Sequence, residues 1–190
     1  MTSFSIIGTG KMANAIGGVL AESGNDVAYV KREDVGTAPL GDVVVLAVPH
    51  SAIDSIVTSC GDQLAGKIVV DITNPLNFET FDSLVVPAGS SAAAQLAERL
   101  PASKVLKAFN TTFAATLVSK KVGSNQTTVL IAGDDTTAKS VLTAAVEAGG
   151  LRAVDAGSLA RAHELEAIGF QQLVLAAGEQ IAWTGGFALV

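Results

Sequence analysis

Two glycines separated by one residue follow the first apolar segment of the chain. Phe4–Ile7 leads into Gly8-Thr9-Gly10-Lys11-Met12-Ala13, and a helical pattern begins at once. Gly8 permits a tight turn out of a strand, and Gly10 has no side chain that would keep a pyrophosphate from the N–H groups at the helix start. This spacing predicts a dinucleotide site at Gly8, Thr9, Gly10, Lys11 and Met12. The alternative is an ordinary strand–loop–helix turn.

The residues after the second apolar segment, Asp26–Val30, distinguish between the two nicotinamide dinucleotides. An enzyme that uses NAD usually has Asp or Glu here, where the carboxylate holds the ribose 2′-hydroxyl. This chain has Lys31 and Arg32 instead, and an ammonium beside a guanidinium fork suits the 2′-phosphate of NADP(H). We therefore predict NADP(H). Alternatively, both cations are solvated and balanced by the acidic residues Glu33 and Asp34.

Polar side chains follow three further apolar segments. Ligands of an open α/β sheet bind at the carboxyl ends of its strands, and these ends read Val48-Pro49-His50, Thr73-Asn74-Pro75 and Phe109-Asn110-Thr111. The set contains neither a Ser-His-Asp arrangement nor paired carboxylates, so it favours positioning of a cofactor. His50 could donate a proton or hold a phosphate or substrate oxygen, and Asn74 and Asn110 could bind a carboxamide or ribose. A role at the start of a helix for His50, and turn formation for the asparagines, are the alternatives.

Apolar segments alternate with helical patterns along the chain, which predicts an α/β fold with a doubly wound parallel sheet. Only Lys31–Asp42 separates the second strand from the third. About a dozen residues cannot hold a helix, a strand and a second helix, so we expect a trimmed Rossmann sheet. The predicted strands are Phe4–Ile7, Asp26–Val30, Val43–Val48, Lys67–Ile72, Val105–Phe109, Thr128–Ala132 and Arg152–Val154.

The C-terminal part predicts a separate appendage. We expect a Rossmann domain over residues 1–156 and a C-terminal helix and tail over residues 157–190. Leu159–Trp183 has a helical pattern that is apolar on two faces, which indicates burial on two sides. Trp183, Phe187 and Leu189 make the tail apolar as well. We therefore predict a homodimer in which this helix and tail form the interface and close the pocket.

Composition excludes several classes of partner. The net charge of −6 disfavours nucleic acid, since phosphate contacts need a basic surface. No apolar run approaches the roughly 20 residues needed to cross a bilayer, and no signal-like segment precedes the first strand. A single cysteine, Cys60, and the lack of a Cys/His cluster fit a reducing compartment and argue against a metal site. We expect a cytoplasmic protein with a small-molecule substrate.

Several of these segments resemble the family of NADPH-dependent deazaflavin-coenzyme reductases (deazaflavin:NADP oxidoreductases), to which the cytosolic domains of six-transmembrane ferric reductases are related. The matching segments are Gly8–Met12, Leu46–Pro49, Asp71–Pro75, Lys107–Thr111, Ala132–Asp135 and Val154–Leu159. The resemblance implies NADP along the glycine loop, with Lys31 and Arg32 around the 2′-phosphate. It also implies that the nicotinamide lies near Val48, Pro49, Asn74 and Ala108.

In that family, hydride passes directly between the nicotinamide and a deazaflavin ring, a step that mainly needs alignment and exclusion of water. This chain has Asn110 where the deazaflavin enzymes have histidine. A deazaflavin, a flavin, and a small carbonyl or imine compound therefore remain alternative acceptors, and a non-catalytic NADPH-binding module that senses redox state is a further alternative. The predicted catalytic residues are His50 and Asn110, and the cofactor-binding set adds Pro75 to the residues named above.

Overall fold

Seven strands form the central sheet of the computed structural model, which describes residues 1–190. The spatial order is β2-β1-β3-β4-β5-β8-β9, and β6 and β7 form a separate hairpin. The strands are β1 Ser3–Ile7, β2 Asp26–Val30, β3 Val43–Leu46, β4 Ile68–Asp71, β5 Lys104–Lys107, β6 Lys121–Val122, β7 Asn125–Gln126, β8 Thr128–Gly133 and β9 Arg152–Gly157.

Helices cover both faces of this sheet, which confirms the predicted doubly wound α/β architecture. Alternate residues of β3 point to opposite sides: Val43 and Val45 belong to one buried cluster, and Val44 and Leu46 to the other. None of the helices is long and apolar enough to span a bilayer. The helices are α1 Lys11–Glu22, α2 Ile53–Leu64, α3 Ala92–Arg99, α4 Ala114–Ser119, α5 Thr136–Ala148 and α6 Ala162–Ala177.

The direction of the last two strands corrects the expectation of an all-parallel sheet. The first five strands are mutually parallel, but β8 pairs with β5 in the antiparallel direction, and β9 is parallel to β8. The connection after β5 has only the six-residue helix α4 and then the β6–β7 hairpin. The hairpin reverses the chain before β8 begins. A parallel β8 would need a crossover connection with a full helix, and this connection does not contain one.

The trimmed edge is present as predicted. Between β2 and β3 the chain forms only a three-residue 3₁₀ helix, Arg32–Asp34, and β2 remains the edge strand. The residues at the carboxyl end of β2 are therefore not covered by a further strand or helix of the sheet.

The C-terminal helix is shorter than predicted. A 3₁₀ turn over Leu159–Arg161 precedes α6, which ends at Ala177 rather than Trp183. Glu179 adopts a left-handed φ of 58°, and the N–H of Gln180 donates to the Leu175 carbonyl at 2.8 Å. This bond, which spans the end of the helix, terminates it in the manner of a Schellman motif. The tail then folds back along its own chain.

A buried ion-pair network joins the sheet to the helices on one face. The ammonium of Lys107 is fully buried and lies 2.8 Å from Asp71 Oδ2 and 2.8 Å from Glu166 Oε1. It also donates to the carbonyl of Thr73. The Glu166 carboxylate accepts from the first two N–H groups of α3, at 2.9 and 3.3 Å. The ammonium thus pairs with both buried carboxylates, the positive N-terminal end of α3 faces only that of Glu166, and the network ties β4, β5, α3 and α6 together.

Replacing Lys107 by Met should lower the free energy of unfolding by about 3–5 kcal/mol, because both carboxylates stay buried without their cation. Lys104→Met on the same strand is the matched control. Lys104 pairs with Asp135 at 3.3 Å, and both side chains are at least one third exposed, so its loss should cost less than about 1 kcal/mol. Urea unfolding followed by circular dichroism compares the two variants. Equal losses of stability would contradict the assigned role of the network.

Candidate functional site

A cleft of about 560 Å³ lies at the carboxyl ends of the parallel strands. Eight of the residues predicted from the sequence line it. The glycine loop contributes Gly10, Lys11 and Met12, and the segment after β3 contributes Val48, Pro49 and His50. One asparagine follows each of the next two strands, Asn74 after β4 and Asn110 after β5. The structure therefore brings together residues that are far apart in the chain.

The other predicted residues lie around the cleft rather than on its surface. Gly8 and Thr9 form the turn that leads into the lining residue Gly10. Pro75 and Ala108 are buried in the wall behind the cleft. Direct contact between these two side chains and a ligand is therefore not supported by the structure.

The glycine loop leaves the start of α1 open. Gly8 has a φ of +124°, and a Cβ there would lie 2.3 Å from the Ala47 carbonyl oxygen. Gly10 is the residue before the first turn of α1, and a Cβ on it would meet no atom within 4 Å. No side chain caps this helix and no acidic residue occupies its first turn. Its unpaired N–H groups and positive dipole end can therefore bind an anion.

Two free cations flank this loop. The N–H of Gly8 donates to the Val30 carbonyl at 3.0 Å, so Lys31 and Arg32 follow directly beside the glycine turn. Both side chains are exposed. Neither of them forms a salt bridge. The alternative in which Glu33 and Asp34 balance the two cations is therefore not present as an ion pair. They are free to bind a second anionic group.

A pair of asparagines forms the polar floor of the cleft. Asn110 Nδ2 donates to Asn74 Oδ1 at 2.9 Å and to the Leu165 carbonyl at 2.8 Å, while Asn74 Nδ2 donates to the Asn110 carbonyl at 2.8 Å. Gly169 on α6 packs against the pair, since a Cβ there would lie 2.3 Å from Asn74 Oδ1. Asn110 Oδ1 and Thr73 Oγ1 are buried and have no partner. The floor thus contains a buried acceptor and a buried hydroxyl that the protein itself leaves unpaired.

The backbone before Asn110 is strained. Phe109 is fully buried and has a φ of +61°, a left-handed conformation that costs a bulky residue about 1–3 kcal/mol. The hydroxyl and N–H of Thr112 both donate to the Phe109 carbonyl, at 2.8 and 3.1 Å. These contacts fix the direction in which the chain leaves β5 and so fix the Asn110 amide.

His50 occupies the position at the start of a helix that was the alternative considered from the sequence, and its side chain also lines the cleft. It opens a short 3₁₀ helix, and its backbone carbonyl accepts from the N–H of Ile53 at the start of α2. Its half-buried imidazole lines the cleft. The carboxyl groups with a lowered pKa lie elsewhere: hydrogen bonds from Ser3, from the Ala138 N–H and from Lys139 are the largest causes for Asp42, Asp135 and Asp155, respectively.

Apolar side chains that the strand ends do not reveal complete the cleft. Phe78 comes from the long loop between β4 and α3, and Leu173 from α6. Phe113 precedes α4, and Trp183 of the tail lies against it with 5.0 Å between ring centroids. The apolar composition of the tail was a sequence signal for docking, but nothing in the sequence shows where it docks. The cleft therefore joins an anion-binding end to an apolar end.

Comparison with known proteins identifies relatives for most of the chain. A family model described as NADP oxidoreductase, coenzyme F420-dependent, matches residues 30–75. The F420-dependent NADP reductase of Methanocaldococcus jannaschii is 32% identical over 156 residues, which cover 79% of this chain and 69% of that protein. The metalloreductase STEAP3 of Rattus norvegicus is 35% identical over 179 residues. These cover 86% of this chain but only 35% of the metalloreductase, so the chain spans about a third of that relative.

A solved structure also resembles the whole chain. The crystal structure from Arthrobacter sp. FB24 that carries the name of an F420-dependent NADP-reductase superposes with a TM-score of 0.85 and covers 100% of both chains at 22% identity. At this identity the similarity shows the fold, over the full length of both chains.

Proposed function

The chain belongs to the family of F420-dependent NADP reductases, and from this premise we propose that it transfers a hydride between NADP(H) and a flat ring acceptor, a deazaflavin or flavin. One observation carries the proposal: the open glycine loop and the unsatisfied floor at Asn110 line the same cleft. A dinucleotide has an anionic centre and an aromatic amide at one end, and the cleft offers sites for both.

The phosphates belong at the glycine loop. The pyrophosphate would accept hydrogen bonds from the N–H groups around Gly8, Thr9, Gly10, Lys11 and Met12, where Gly10 leaves room for close approach. Lys31 and Arg32, exposed and without ion pairs, would hold the 2′-phosphate. The uncovered edge of the trimmed sheet supports this, because no further element competes for the two cations.

The nicotinamide belongs at the polar floor. Both N–H groups of the Asn110 amide are used within the protein, so its Oδ1 can only accept, and a carboxamide N–H is a suitable donor. The Thr73 hydroxyl could donate to the carboxamide oxygen. Val48 and Pro49 form the adjacent apolar wall. Asn74 acts by orienting Asn110, and Pro75 and Ala108 act by packing behind the wall.

When bound, NADPH would supply a hydride, that is two electrons and one proton, to the acceptor ring, and the one further proton that the reduced ring needs would come from His50 or from water. The chain contributes alignment and exclusion of water. Its lining side chains are mostly apolar, and Asn110 fixes the plane of the amide. His50 is the one imidazole that lines the cleft, and it would hold a phosphate or a substrate oxygen or donate the proton.

We further propose a cytoplasmic homodimer of a Rossmann domain, residues 1–156, with a C-terminal helix and tail, residues 157–190. Cys60 is buried and free, which suits a reducing compartment. Ile168, Phe187 and Leu189 are each more than one third exposed around a second apolar cavity. A self-complementary pairing through α6 and the tail would cover them.

NADPH should bind at least about tenfold more tightly than NADH, since each charge-assisted hydrogen bond contributes roughly 1.5–3 kcal/mol. Arg32→Ala should remove most of that preference, whereas Arg161→Ala, which removes an exposed arginine outside the cleft, should preserve it. Nicotinamide fluorescence measures both affinities. Equal affinities of the unmodified protein for the two cofactors would refute the assignment.

Gly10→Val should abolish NADPH binding without unfolding the protein, because a Cβ at this position meets no atom within 4 Å and the side chain would occupy the path of the phosphates. Gly8→Ala is the contrasting variant: its Cβ would collide with the Ala47 carbonyl, so it should lower thermal stability. Circular dichroism and a binding titration separate these effects. Retained NADPH binding by folded Gly10→Val would place the phosphates elsewhere.

Deleting residues 185–190 should weaken dimerisation and lower turnover more than it weakens NADPH binding, because none of these residues lines the cleft with the glycine loop, while their loss removes the hydrogen bond from Phe187 to Gln172 that holds the tail. Sedimentation measures dimerisation, and nicotinamide fluorescence measures both turnover and the affinity for NADPH. If the unmodified protein sediments as a monomer at micromolar concentration, the dimer is wrong and the tail serves its own chain only.

A further inference from the structure

Two aromatic side chains at the cleft are exposed to an unusual degree. Phe78 is 56% exposed and Trp183 is 52% exposed. They come from separate segments, the loop after β4 and the C-terminal tail, and both line the cleft that contains Asn110. Single exposed aromatics are common on protein surfaces, but two that converge on one concave apolar site indicate a ligand.

The loop that carries Phe78 is held in a defined shape. Leu76 and Leu84 form an isolated antiparallel bridge, and the N–H of Asn77 donates to the Ser83 carbonyl at 2.9 Å. Phe78 packs edge-to-face against Phe81, with 5.8 Å between centroids and an angle of 86°. Its position at the cleft therefore results from a closed loop rather than from an unconstrained chain.

The tail holds Trp183 from both sides. Before it, the end of α6 fixes the chain; after it, the N–H of Phe187 donates to Gln172 Oε1 at 3.0 Å. Gln172 is buried, and a Cβ on Gly186 would approach its Oε1 to 2.9 Å. The Trp183 ring itself rests on Phe113 at 52°. One part of the indole is thus packed, and the rest faces the cleft.

The cleft that these aromatics line has no carboxylate, and Lys11 and His50 are its only basic side chains. Met12, Phe113, Ala114 and Leu173 are apolar, and the one lining ammonium, that of Lys11, belongs to the glycine loop. A small carbonyl or imine compound would leave both aromatic faces in contact with water. A fused planar ring would cover them, and ring stacking is favourable by about 0.5–1.5 kcal/mol beyond burial.

We propose that Phe78 and Trp183 form the two walls of an acceptor subsite that takes the fused ring of a flavin or deazaflavin against the nicotinamide held at Asn110. This rests on the proposed function, and it names the residues that select the ring. The indole of Trp183 supplies the stacking surface and Phe78 closes the open side. The floor at Asn110 binds the cofactor and does not select the acceptor.

Trp183 is the one tryptophan of the chain, so its fluorescence reports directly on this subsite. With NADP⁺ at saturation, riboflavin and deazariboflavin should quench the emission of the unmodified protein. Phe78→Ala should weaken the quenching affinity about tenfold, within the range of roughly 1–3 kcal/mol for stacking on an aromatic side chain. Val85→Ala is the matched control, since Val85 lies in the same loop, is 54% exposed and does not line the cleft.

Turnover kinetics test Trp183 itself. Trp183→Ala should raise KM for deazariboflavin about tenfold or more while the Kd for NADPH changes less than about twofold, and Trp183→Phe should recover most of the loss. Sedimentation should give the same assembly for the unmodified protein and Trp183→Ala.

The outcomes separate this inference from the proposed function. If the unmodified protein fails to bind NADPH, the proposed function is wrong. If NADPH binds but neither ring quenches Trp183, or if both wall variants leave the acceptor affinity unchanged, the subsite is wrong and the cofactor assignment stands. A change of assembly in Trp183→Ala that accounts for the loss would place Trp183 in an interface and also overturn the subsite.

Discussion

The buried ammonium of Lys107 is the constraint on which the site depends. Asp71 and Lys107 stand opposite each other as the last residues of β4 and β5, and their ion pair fixes the relative register of these two strand ends. Asn74 and Asn110 lie three residues beyond these strand ends, where they meet in mutual hydrogen bonds. Buried ion pairs add little stability compared with an apolar core, and some of them specify one arrangement over others. Here the arrangement specified is the floor of the cleft.

Helix α6 transmits this constraint from the sheet to the tail. One of its faces carries Glu166, Gly169 and Gln172 at spacings of three residues, so they lie in a row along the helix. Glu166 binds the Lys107 network, Gly169 lets the helix approach the asparagine pair, and Gln172 accepts a hydrogen bond from the tail. The tail, which carries one wall of the cleft, is therefore attached to the same helix that contacts the floor.

Much of the fold and of the anion-binding end follows from local sequence. The sequence was sufficient to predict the apolar strands and the Gly10 turn. Because ligands of an open α/β sheet bind at the carboxyl ends of its strands, it also predicted His50, Asn74 and Asn110 as site residues. The direction of β8 did not follow, because strand direction depends on the path of the preceding connection and not on side-chain pattern. The end of α6 at Ala177 was missed because apolar spacing continues past Gly178, where the chain turns out of the helix. The ion network could have been predicted from the sequence. Asp71 and Lys107 are opposite charges at the ends of adjacent apolar strands, where an unpaired charge would be costly.

The two ends of the cleft differ in how they are built, and this difference bears on function. The floor consists of strand ends, a strained backbone at Phe109 and a buried ion network. The contacts around each of these parts hold it in one conformation. The walls consist of a loop and a tail, each held by a few hydrogen bonds and one aromatic contact. Hydride transfer needs the nicotinamide in one fixed orientation, which a rigid floor provides. Loops and tails tolerate substitution better than strand ends do. In the proposed arrangement, a protein with this construction can keep one way of holding NADP(H) while the acceptor changes, because replacing a wall does not disturb the Lys107 network that sets the floor.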